Sequence, residues 1–122
     1  MSREIKFRAW YKPEGKMHQV KALYLASQVP YVEWQPFQGR PVDENIELME
    51  FTGVKDRRGK EIYEGDILGL DDPEDTSKAI VVFHNGAFRQ QLVRLPIFGD
   101  DWDWFVIGNI YENPELVAKE EL

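Results

Sequence analysis

The chain has 122 residues, no cysteine and a formal net charge of −7. That length suits one domain with a real core, and the missing thiols exclude a disulfide framework and any thiolate metal site. The acidic balance argues against attraction of the whole molecule to nucleic acid or anionic lipid, although it leaves room for a local basic face. Four Trp, five Tyr and seven Phe favour a β-rich core, because aromatic rings fit pleated surfaces. The N-terminus MSREIKF has no apolar run behind its charges, and no stretch nears the roughly 20 apolar residues of a bilayer span. The expected location is the cytoplasm of a bacterial host, with no membrane partner.

Arg3 to Trp10 alternates, with Ile5, Phe7 and Ala9 on one face and Glu4, Lys6 and Arg8 on the other, which predicts a half-buried strand. Pro13-Glu14-Gly15 marks a turn, and Met17 to Leu25 returns to complete an N-terminal hairpin. Gln28 to Pro41 carries Pro30, Pro36, Gly39 and Pro41 among Tyr31, Trp34 and Phe37. It reads as an irregular segment or long loop whose aromatics either pack down or form a contact surface. Packing is favoured, since large exposed apolar patches are uncommon.

Ile46 to Thr52 predicts a strand covered in part on both faces, ending at Gly53. Lys55 to Lys60 reads as a hairpin loop, with Asp56 and Gly59 suited to a type I turn and a left-handed residue. Glu61-Ile62-Tyr63 returns, Glu64-Gly65-Asp66 turns again, and Ile67 to Leu70 resumes. Asp71 to Ser77 is a solvated loop. Lys78 to Phe83 predicts a central strand, and Asn85-Gly86 a type I′ turn into Ala87 to Leu95. Trp102 to Ile107 leads into the last strand, Gly108-Asn109 marks a bend or bulge, and Asn113-Pro114 starts a short helix with Asn113 as N-cap.

Three segments, REIKFRAW (Arg3–Trp10), LMEFTGVKDRRGKEIYEGDIL (Leu48–Leu68) and VIGNIYENPEL (Val106–Leu116), together resemble the YopX family of phage and prophage proteins. They occur in family order; residues 30–45 and 71–104 are unmatched. The resemblance implies a largely β protein with an SH3-like barrel part, encoded by a phage or integrated element. It carries no assigned activity, so no catalytic residue transfers. The expected fold is all-β and mainly antiparallel, one YopX-like domain over 1–122. Residues 1–45 supply the hairpin and the Pro/aromatic segment, 46–122 the SH3-like barrel core, and a short C-terminal helix follows.

Chemistry-bearing motifs are absent. His18 and His84 stand apart without ligand spacing. The runs Asp71, Asp72, Glu74, Asp75 and Asp100, Asp101, Asp103 lack the calcium-loop pattern and read as solvated loops. There is no phosphate-binding glycine loop and no serine elbow. No catalytic, cofactor or metal residue is assigned, and an enzyme is the least favoured class. The reading favoured instead is a phage or prophage accessory protein that acts by protein contact or assembly. Its candidate contacts are Trp34, Phe37, Trp102 and Trp104, with Tyr31 among the same loop aromatics, residue types enriched at interfaces; self-association is one form it can take. The rival is a nucleic-acid-binding module built on Arg3, Lys6 and Arg8 and on the hairpin tip, with Arg8, Arg57, Arg58 and Lys60 as contacts. A weaker rival is an acidic decoy that mimics nucleic acid.

Overall fold

The computed structural model describes residues 4–25, 28–35, 37–70, 74, 76–92, 98–99 and 104–117, with the side chains of 37, 38, 92, 98 and 99 left aside. The chain forms two compact units, one over Ile5–Glu50 and one built on Phe51–Leu122. Every strand pairing is antiparallel, as the alternating patterns and tight turns require.

In the first unit, β1 (Phe7–Tyr11) forms a hairpin with β2 (Lys16–Gln19), Arg8 opposite Gln19 and Trp10 opposite Met17. Gly15 closes the turn at φ +62°, its amide donating to the Tyr11 carbonyl at 2.9 Å. On its other edge β1 pairs with the opening half of β6 (Ile46–Lys55), from Phe7 opposite Glu50 to Tyr11 opposite Ile46. The pairing begins at Phe7, so Ile5 lies outside the strand and is 69 % exposed, although its parity predicts an inward position.

The Gln28–Pro41 stretch is not an irregular loop. β3 (Ala22–Tyr24), β4 (Tyr31–Trp34) and β5 (Phe37–Pro41) make a three-stranded meander. Pro30 and Pro41, which argue against strand, sit where a missing N–H costs little, and Pro36 lies outside the described residues. Pro30 precedes β4 and offers its carbonyl to the Val42 amide at 2.8 Å, while Pro41 ends an edge strand. Within β4 the alternation is regular, with Val32 and Trp34 buried and Tyr31 exposed. Val32, Trp34, Ala9 and Ile46 form this unit's core, with Tyr11, Leu23 and Leu48 packed against it.

In the second unit, the closing half of β6 pairs with β7 (Glu61–Tyr63). Gly53 does not end β6. The strand runs on to Lys55 through a bulge, the register shifting between Phe51 and Lys55 with Gly53 at φ +89°. Thr52 ties the irregularity down. Its hydroxyl donates to the Ile62 carbonyl at 2.8 Å and accepts from the Val54 amide at 3.1 Å. β8 (Asp66–Gly69), β9 (Lys78–His84), β10 (Ala87–Leu92), β11 (Phe98–Gly99) and β12 (Phe105–Asn109) form a sheet in the order β11-β10-β9-β8-β12. The β9–β10 turn places Asn85 at φ +51° and Gly86 at φ +80°, the two positive angles a type I′ turn demands. Ile62, Leu68, Val81 and Val106 form the core.

After β12 the only helical turn among the described residues is a 3-10 turn at Pro114–Leu116. Asn113 does not cap it. Its Oδ1 accepts the Asn109 amide at 3.1 Å instead, a position open because residue 108 is glycine. A Cβ there would stand 2.5 Å from that oxygen.

Candidate interaction surface

The hairpin tip after β6 is organised by Asp56, which is 6 % exposed. Its Oδ1 accepts the amides of Arg58 at 2.8 Å and Lys60 at 2.9 Å, and its Oδ2 accepts the amide of Val106 on β12 at 3.0 Å. Backbone bonds between Asp56 and Lys60 and between Gly59 and Asp56 close the loop, with Gly59 at φ +84°. Burial works to raise the Asp56 carboxyl. The amides of Val106, Lys60 and Arg58, helped by the Arg58 charge, outweigh it and hold the group below its ordinary value.

Arg57, Arg58 and Lys60 are therefore exposed on one pinned tip. The Arg58 guanidinium lies 4.2 Å from the centroid of the Phe105 ring, a cation–π contact. Arg8 belongs to the other unit, on β1, and is half-buried.

The aromatic contact residues divide differently. Trp34 is 1 % exposed, its rings stacked on His18 at 4.9 Å and tilted against Tyr11 at 5.6 Å. Arg40 covers the Tyr11 ring at 4.6 Å and donates to its hydroxyl. Trp104 is half-buried against the second unit's core. Trp34 is thus a packing residue, and Trp104 packs with part of its surface. Phe37 stands opposite Trp34 in the β4–β5 register, but its side chain is outside the description, and Trp102 lies outside the described residues, as do Asp71, Asp72, Asp75, Asp100, Asp101 and Asp103.

The exposed apolar surface of the first unit is carried by other residues. Ile5 and Leu25 are each 69 % exposed, and Tyr24, Val29 and Tyr31 are also exposed. Tyr24 and Tyr31 face each other directly across the β3–β4 pair. The Tyr24 hydroxyl donates to Glu33 at 2.8 Å, and that bond, with the Glu33 charge, raises its pKa. The readable signal for Tyr31 is the YVEW alternation, masked by the prolines around it.

Beside β3 lies an open groove of about 570 Å3, walled by Ile5–Phe7, by Gln19–Leu23 and by Leu25. No group of three or more metal-ligating side chains occurs among the described residues, and none of their helices is long and apolar enough to cross a membrane.

Two antiparallel units with a pinned basic tip and an exposed aromatic–aliphatic surface define a small all-β protein without a recognisable catalytic constellation among its described residues. The YopX family model, described as YopX protein, matches residues 6–118, and the chain belongs to the YopX family. It is similar to protein EF1440 from Enterococcus faecalis, known from a crystal structure, with 30 % identity over 95 % of this chain and 99 % of that one, at a TM-score of 0.69. It also shares the fold of YopX from Bacillus subtilis, with 24 % identity over 91 % of this chain and 96 % of that one, at a TM-score of 0.60. Comparison with curated proteins finds no match.

Proposed function

We propose that this protein is a non-enzymatic interaction or assembly module of a phage or prophage, working through protein contacts in the host cytoplasm. The observation that carries this reading is the exposed Tyr24–Tyr31 pair with Ile5, Leu25 and Val29 around the β3–β4 strands. Tyrosine supplies large contact area at low entropy cost and is enriched at interfaces. Of the aromatics expected at such a surface, Tyr31 faces outward, Trp34 is buried and Trp104 is half-buried.

The test joins two measurements. A photoreactive phenylalanine analogue at position 31 should give a discrete protein adduct in host extract, and the same analogue at position 61 should not. Light scattering of the purified protein should return a mass indifferent to single-stranded DNA at low and high salt. A salt-sensitive rise in mass with DNA, lost in the double variant Arg57→Ala and Arg58→Ala, would replace this reading with the nucleic-acid one.

A further inference from the structure

The geometry points to the groove beside β3 as a docking site for an extended acidic peptide segment of another protein, added as a strand to the β3 edge. This deepens the protein-contact reading and rests on it. β3 is an edge strand, paired with β4 alone among the described residues, and an unpaired edge is a template for a further strand. The β3 residues Ala22 and Leu23 line the groove together with Ile5–Phe7, Gln19–Lys21 and Leu25. Ile5 and Leu25 both line it and leave most of their surface to water. An incoming strand would set alternate side chains against such apolar residues.

Charge selects the occupant. Among the described residues the lining includes Lys6 and Lys21 and no carboxylate, in a chain whose net charge is −7. Lys21 is 60 % exposed, with Nζ 3.8 Å from Glu33, a long contact. Glu33 is itself outside the lining and accepts from Tyr24. Apolar walls with local positive charge fit a segment alternating apolar and acidic residues, and disfavour a basic one.

The probe is the peptide acetyl-Glu-Val-Glu-Leu-Glu-Val-Glu-amide, titrated into the isotopically labelled full chain, with a charge-reversed analogue carrying Lys for Glu. Saturable amide shifts should fall on residues 5–7 and 19–25, and hydrogen exchange at Ala22–Tyr24 should slow. Binding should weaken roughly tenfold with the Lys peptide and in each of Ile5→Glu and Leu25→Glu, two exposed sites whose replacement leaves the fold intact. The proposal is overturned by no shifts at millimolar peptide, by equal affinity for both peptides, or by shifts without slowed exchange. It is also overturned if the same shifts follow from concentrating the protein alone, which would assign the groove to a second copy, or from adding single-stranded DNA. A discrete adduct at position 31 together with any of these results removes the groove and leaves the interaction reading standing.

Discussion

Asp56 shows how much one carboxylate can do in a hairpin loop. Two of its accepted amides are local, and the third, from Val106, comes from a strand fifty positions on. Replacing it with Ala leaves three donors without that acceptor, and Asp56→Ala should cost roughly 2–4 kcal/mol in urea unfolding. Asp56→Asn should also destabilise, because its amide group turns a donor toward donors. The pH dependence has a definite sign. The folded pKa lies below the unfolded value, so the contribution is complete above the unfolded carboxyl range, near pH 4. It is lost as pH falls through the lower folded value. Unfolding curves of Asp56→Asn should therefore lose part of the acid-side slope of the native protein; an unchanged slope would show that Asp56 is not its source. Gly108 poses the opposite problem, a place where nothing must be added. Gly108→Ala drives a methyl into Asn113 Oδ1 and should cost about 1–3 kcal/mol. Most of that cost should disappear in an Asn113→Ala background, a coupling that a double-mutant cycle reads directly.

Among the elements, strand legibility tracked turn chemistry more than apolar content. The β9–β10 hairpin was readable because Asn85-Gly86 permits one turn geometry and the flanking strands alternate. The tip after β6 was readable for the same reason, through Asp56 and Gly59. The β4–β5 pair was not, since prolines near strand ends resemble prolines inside loops until the pairing is known. Gly53 was misjudged for a related reason. A glycine at positive φ stops a strand or bulges it, and the choice belongs to Thr52, whose hydroxyl replaces the displaced ladder bonds. Thr52→Val should preserve volume, remove those bonds and cost about 1–3 kcal/mol, with faster hydrogen exchange concentrated at β6–β7. The Val106 link to Asp56 had no local signature at all, because nothing in either segment names the other. Burial within β4 was only half legible. Aromatic anchors were expected, but the period-two alternation within YVEW decided which rings turn outward. Trp34→Ala should accordingly destabilise by about 3–5 kcal/mol, while Tyr31→Ser should change stability by no more than about 0.5 kcal/mol. Thermal unfolding of the two variants separates a packing residue from a surface one.

For the whole molecule, the antiparallel class and the family were legible from three segments spanning most of the chain, because hairpin periodicity and turn residues repeat from end to end. The division at Glu50 and Phe51 was not, because β6 crosses it as one unbroken strand. That strand also sets a timetable. On the ribosome β1 is made early and pairs at once with β2, yet its other edge waits for Ile46–Glu50 to be synthesised. At ~5–20 residues per second the delay is roughly 2–7 s. Throughout it β1 keeps one strand edge open, and β8 waits as long for β12 although β9 closes its other edge sooner, whereas β6–β7 and β9–β10 join strands made in close succession. β1 and β8 are thus the strands that stay longest exposed on one edge to chaperones and to mispairing with other nascent chains.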